Sequence, residues 1–194
     1  MPRPLDVPRR KADISRIALG ILAHTGPSGL TIRAVADELG GSVTKVTHIY
    51  PTRAELMRGM VDYYTEEAAQ AAVAETVGKE PEDRLRALLE DMAPIDEESL
   101  RRERSRVALT SDRDQEAAQV FADSMEQFAR ERFRASVAGL VEEARVEDAV
   151  DFCRALVNGL VLSAVEHPDL WTPDRQRRVL EIGLAAIRAV AEGG

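Results

Sequence analysis

Only three residues, Gly40-Gly41-Ser42, stand between the end of one amphipathic segment at Leu39 and the start of another at Val43. Upstream, Ile32, Val35, Ala36 and Leu39 repeat with the period of a helix. Thr31 supplies an N-cap for that helix and Gly40 a stop. Downstream, Ser42 is the next cap. The helix it opens, over about 43–50, must end near Pro51, because proline disfavours helical geometry in the residue before it. Two helices joined by so short a glycine turn form a helix-turn-helix. A preceding helix carries Ile14, Ile17, Ala18, Ile21 and Leu22 on one stripe and stops at Thr25-Gly26-Pro27-Ser28-Gly29. Thr52-Arg53-Ala54-Glu55 reads as a capping box that opens a fourth helix running to about Val77.

Beyond residue 80 the helical period continues, with helices predicted near 82–93, 97–110, 114–142, 146–166 and 173–191. Pro81, Pro94, Asp112 and His167-Pro168 mark the breaks. No segment alternates as a strand does. The predicted fold is therefore all-α, with a flexible basic arm over 1–12, a three-helix helix-turn-helix domain over 13–51 and a larger helical domain over 52–194. A single cysteine, Cys153, cannot form a disulfide within the chain, and it predicts a reducing, cytoplasmic setting. The densest apolar run, residues 152–165, contains Arg154 and is too short to span a bilayer, so no membrane partner is expected. His24, His48 and His167 lack metal-ligand spacing, and paired acids such as Glu66-Glu67 are helix neighbours on a solvated face. No catalytic residue, metal or cofactor is predicted.

Charge divides the chain. The net charge is −8, yet residues 1–53 hold eight Lys/Arg against four Asp/Glu. From Leu39 to Ala54 there is no acid at all, while Lys45, His48, Arg53 and five hydroxyls fall in the same stretch. Val46 and Tyr50 share the face of the third helix that packs inward. Thr44, Lys45, Thr47 and His48 point largely elsewhere. Such a face suits a DNA major groove: lysine donates to guanine O6 or N7, and threonine bonds either base type or touches a thymine methyl. Arg53 and the free N–H groups of the fourth helix suit a phosphate. The same features are compatible with a helical protein-interaction module, or with a small all-α enzyme using a buried carboxylate, and both alternatives stay open on composition and spacing alone.

Residues 13–56 resemble the N-terminal DNA-binding domain of the TetR family of transcriptional regulators. The likeness runs without a gap through "ISRIALGILAHTGPSGLTIRAVADELG" and "SVTKVTHIYPTRAEL". The family's motif positions become Thr31, Gly40, Ser42, Tyr50, Thr52, Arg53 and Leu56 here. The resemblance implies that Arg33, Val43, Thr44, Lys45 and His48 face bases and that Thr47 and Arg53 take phosphates, with Thr31 and Ser42 at the helix starts beside them. Thr47 replaces a usual tyrosine, Gly41 a usual valine and Thr44 a frequent glycine, departures that point to an unusual operator.

The stretch "RALVNGLVLSAVEHPDLWTPDRQRRVLEIGLAAI" is similar to the last two helices of the BetI-like branch of that family. Independently, a helix apolar nearly all round over 152–165 must be covered on more than one side. The last helix has a wide apolar face too, with Val179, Leu180, Ile182, Leu184, Ile187 and Val190. The expected cover is a second copy, a homodimer through 146–166 and 173–191 with Leu160 at the contact; a buried central helix of a monomer is the alternative. The resemblance further implies an effector pocket in the middle helices, and the scarcity of aromatics and buried charges leads us to expect a largely apolar, small-to-medium molecule there. The residues expected to line it are Met60, Tyr63 and Tyr64 in the fourth helix, then Leu89, Met92, Arg106 and Thr110, then Phe121, Met125, Phe128 and Asn158. The implied function is a ligand-responsive repressor that binds double-stranded DNA with a palindromic operator.

Overall fold

A computed structural model describes residues 6–76, 78–109 and 114–192. Among these, helices are the only regular elements: α1 Val7–Thr25, α2 Ile32–Glu38, α3 Val43–Thr47, α4 Arg53–Thr76, α5 Pro81–Met92, α6 Glu97–Leu109, α7 Gln115–Val137, α8 Val146–Glu166 and α9 Pro173–Glu192. Short 3-10 turns lie at Pro27–Gly29 and Glu143–Arg145. The predicted all-α class is the class observed. The expected break at Asp112 lies outside the described residues.

Two boundaries differ from expectation. α1 begins at Val7, so residues 7–12 are helical and not arm. Asp6 is its N-cap, accepting a hydrogen bond from the Arg9 N–H at 3.2 Å, and Pro8 sits in the first turn, where a missing N–H costs nothing. α7 stops at Val137, not near residue 142. Gly139 adopts φ 83°, in the left-handed region, and an isolated bridge joins Ala138 to Val141.

The chain forms two compact units, which do not divide at residue 51. The first comprises Met1–Ala72 with Ser105–Met125, the second Val73–Arg104 with Glu126–Gly194. The first core shows why. Ile14 and Ala18 of α1, Val35 of α2, Val46 of α3, and Leu56, Met57 and Met60 of α4 share one buried cluster with Leu109, Ala117 and Phe121. α1 to α3 alone would leave that side open, and α4 with the ends of α6 and α7 closes it. Ser15 of α1 is buried as well, and its hydroxyl donates to the Gly59 carbonyl at 2.9 Å. With that proton committed, the Tyr50 hydroxyl is left to donate to Ser15 Oγ at 3.2 Å. The Tyr50 ring lies where a Cβ on residue 59 would go, so glycine there admits the aromatic at the end of the third helix.

The second unit packs Leu85, Leu88 and Leu89 of α5 with Phe133 of α7, Val150, Cys153, Val157, Leu160 and Val161 of α8, and Leu180, Leu184 and Ile187 of α9. Gln176 is buried at the start of α9 and ties two loops, donating to the carbonyls of Pro94 at 3.0 Å and Trp171 at 2.8 Å. An ionic ladder joins α7 to α8. Arg134 Nε meets Glu147 at 2.6 Å, Arg130 reaches Glu147 at 2.9 Å and Asp151 at 2.6 Å, and Arg154 reaches Glu126 at 2.6 Å.

Hydrogen bonds from Arg134 and Arg130 hold the Glu147 carboxyl down at about 2, against an ordinary 4.5. Because the folded value is the lower one, its contribution to stability is complete above the ordinary value and is lost as pH falls toward 2. Glu147→Gln is therefore expected to melt below the native chain near neutral pH, the two curves converging through that window. The carboxylate is exposed, so added salt should narrow the gap. A gap in Tm that persists unchanged through the acid window would show that the charge is not what joins the helices.

Candidate nucleic-acid interface

The helix-turn-helix is built by local signals. Thr31 caps α2 by accepting from the Ala34 N–H at 3.0 Å. Gly40, at φ 64°, turns the chain, and the Gly41 N–H bonds back to the Ala36 carbonyl at 3.0 Å. α3 then opens at Ser42, which makes no side-chain capping bond. Val46 and Tyr50 face inward as expected, both buried.

The opposite face is open. Ser42, Val43, Thr44, Lys45 and His48 are exposed, and Val43 keeps 44% of its surface accessible in spite of its apolar side chain. Arg33 is exposed on α2, 3.9 Å from Asp37 in a loose ion pair. Thr31 is exposed as well, while Thr47 is half-buried, its hydroxyl donating to the Thr44 carbonyl at 3.4 Å. These side chains give donors, two flexible cations (Lys45 and Arg33) and small apolar contacts with no carboxylate on α3, which is what base edges in a major groove take.

Arg53 departs from expectation. Its guanidinium does not face outward with that surface: Nε donates to the Leu30 carbonyl at 3.1 Å and a terminal nitrogen to the Pro27 carbonyl at 3.2 Å. The other lies 3.6 Å from Asp114, which caps α7 by accepting from Ala117 N–H at 3.1 Å. The start of α4 is committed too. The Thr52 N–H donates to Glu55 Oε2 at 3.0 Å and the Glu55 N–H to Thr52 Oγ at 3.1 Å, the reciprocal pair of a capping box. A phosphate there would compete with Glu55. Lys11 of α1 and Arg58 of α4 line a cleft of about 450 Å³ beside Ile49 and Tyr50, together with the carboxylates of Glu55, Asp62 and Glu66. Sequence reading passed over both cations, although the Asp6 and Pro8 signals that place Lys11 on a helix were present.

The residues expected to line an effector pocket are divided between the units. Met60 and Phe121 are buried in the first core, and Met125 packs against it. Tyr63 lines the cleft with Lys11 and Arg58; its hydroxyl is pushed up by loss of solvation, with the Glu67 carboxylate adding to the shift. Tyr64 and Arg106 are half-buried. In the second unit Leu89 is fully buried, Met92 is half-buried and Phe128 lies beneath the Arg132 guanidinium at 5.5 Å. Asn158, expected to face a pocket, is exposed on the outside of α8, and Thr110 lies outside the described residues.

α8 and α9 leave apolar surface uncovered. Phe152, Leu162, Ile182 and Val190 are 40%, 48%, 69% and 38% exposed, and Gly159 lies among them on the outer side of α8. Leu160 is 2% exposed and belongs to the chain's own core, contrary to its expected place at an outer contact. Within the chain, the close approach of the two helices is at Gly183, where a Cβ would run into Leu156. Cys153 is fully buried in α8, and burial pushes its thiol up to about 12, leaving it protonated and shielded. No helix among the described residues is long and apolar enough to cross a membrane.

Comparison with known proteins agrees with this arrangement. The family described as the C-terminal region of BetI-type transcriptional repressors matches residues 81–189, more than half of the chain. No curated protein matches its sequence. A transcriptional regulator from Rhodococcus sp. Rha1 has a similar structure, with a TM-score of 0.70 at 20% identity over 91% of this chain and 95% of that one. A TetR transcription regulator from Haloarcula marismortui superposes with a TM-score of 0.67 at 19% identity, over 96% and 98% of the two chains. NalD, the secondary repressor of the MexAB-OprM multidrug efflux pump in Pseudomonas aeruginosa, gives 0.59 at 19% identity over 93% and 96%. At such identities the likeness is one of fold, and it is the match over 81–189 that assigns descent. With its helix-turn-helix ahead of that region, the chain belongs to the TetR family of transcriptional regulators, with a C-terminal region of the BetI repressor type.

Proposed function

We propose that the chain is a cytoplasmic, ligand-responsive repressor that binds a palindromic operator as a homodimer, with α3 in the major groove. The observation that carries this reading is the exposed, acid-free face of α3 in a chain of net charge −8. Val43, Thr44, Lys45 and His48 meet base edges, and Arg33 approaches from α2. Thr31, Ser42 and Thr47 supply short hydroxyls along the backbone. Arg53 holds the domain together and takes no phosphate. The exposed apolar faces of α8 and α9 meet a second copy across a two-fold axis, which calls for an inverted repeat in the DNA. A small, largely apolar effector engages the half-buried tyrosines of α4, Tyr63 and Tyr64, and releases DNA by favouring an arrangement in which the two α3 helices no longer match one DNA turn.

Gel-shift titration at several salt concentrations, with DNA from beside the chain's own gene, tests the core of this reading. Specific binding whose logarithm falls linearly with the logarithm of salt is expected. Lys45→Ala should weaken the best site by about 1–3 kcal/mol and relax its sequence preference. Binding that ignores both sequence and salt, or a Lys45→Ala variant with native affinity and preference, would remove α3 as the recognition helix.

A further inference from the structure

We propose that Gly41 is a specificity-determining position of the DNA interface, acting as a positioning residue for Lys45. The proposal rests on reading α3 as the recognition helix and adds what aims its one lysine. Side chains on a helix lean back toward its N-terminus, over the residue four positions earlier. The stem of Lys45 does this over Gly41. A Cβ built on Gly41 would lie 3.1 Å from Lys45 Cδ, 3.8 Å from Nζ and 4.0 Å from Cε, and these are its three nearest neighbours. The ammonium therefore rests beside the turn, at the end of α3 from which recognition helices reach base edges.

The backbone does not demand this glycine. Gly40 carries the left-handed φ of 64°, whereas Gly41 is not among the residues of positive φ. Its absent side chain leaves room for Lys45 and relieves no other contact among those three neighbours. An added Cβ meets only the far end of a flexible side chain, so the fold tolerates it and the lysine moves. A methyl group displaces Cδ by a few tenths of an ångström. A β-branched side chain closes the path and sends the ammonium elsewhere. Because lysine acts as a point charge at the end of a four-carbon stem, a redirected stem changes which base atom it meets.

The full-length chain and its Gly41→Ala, Gly41→Val, Lys45→Ala and Gly41→Val/Lys45→Ala variants would each be put through selection from random duplex DNA. Affinities would then be measured on the best duplex and on its single-base variants. Gly41→Val is expected to keep the native melting temperature, to lose about tenfold in affinity for the best duplex, and to change preference at the same base positions that Lys45→Ala relaxes. Gly41→Ala should fall between it and the native chain, and it serves alone if the valine variant does not fold. In the Lys45→Ala background the valine should cost nothing further, the signature of one residue acting through the other. Specific native binding that neither Gly41 variant alters, or an equal loss with and without Lys45, overturns this inference alone. A native chain that selects no sequence overturns the recognition-helix reading and this inference with it.

Discussion

Ile182→Glu is expected to turn a dimer into a folded monomer and to lower operator affinity by about 10²–10⁴-fold, the factor that linking two binding modules supplies. Ile182 is 69% exposed on α9, so glutamate there meets water and leaves the chain's own core untouched. In a dimer through the α8 and α9 faces the same carboxylate is drawn out of water into the apolar contact of Phe152, Leu162 or their copies, an unfavourable position. The monomer still presents one α3 and binds a half-site weakly. Leu160→Glu should behave differently: Leu160 is 2% exposed, and charge there unfolds the second unit instead of separating copies. Sedimentation at micromolar concentration, read beside circular dichroism, distinguishes the two. A native chain that sediments as a monomer, or an Ile182→Glu variant that remains a dimer with native operator affinity, would exclude this interface.

Arg53→Ala is expected to destabilise the first unit by about 3 kcal/mol, since it removes several charge-assisted hydrogen bonds at once. The Arg53 side chain is 19% exposed and serves the carbonyls of Leu30 and Pro27 and the Asp114 carboxylate. Arg53→Lys keeps the charge but not the planar fork, and should recover little of the loss. Below the variant's melting range the salt dependence of DNA binding should stay native. A phosphate contact predicts the opposite pattern: native stability and a slope reduced by about 0.9 per subunit. Thermal melts and salt titrations of the same preparations decide between them.

The starts of α2 and α4 were legible because their signals are local. Thr31 and the Thr52–Glu55 box needed only residues within one turn, and all three make the bonds their positions foretold. The outward face of α3 followed from the burial of Val46 and Tyr50 on the other side. The inward turn of the Arg53 side chain was not legible, for the same reason that the caps were. Its charge and place at a helix start are local facts, but its carbonyl partners lie 23 and 26 residues away, across a turn whose carbonyls no sequence pattern reveals. Asn158 shows a related limit. The family resemblance implies a pocket that it would line, yet it stands on the exposed face of α8. For the effector residues, periodicity says that Met60 and Leu89 face inward. It does not say that they face into two different cores.

Cys153 is fully buried with its thiol pushed up to about 12, so reagents that attack thiolates find almost none to attack in the folded chain. A second cysteine placed at an exposed position would react alone, with the native one left in place. Arg16, exposed on α1 and outside the proposed DNA face, offers such a position. In a dimer each copy would then carry one spin label, and a single distance across the two-fold axis would report how far apart the DNA-reading ends stand. Recorded for the free protein, with operator and with a candidate effector, that distance follows the switch in solution without altering any residue proposed to take part in it.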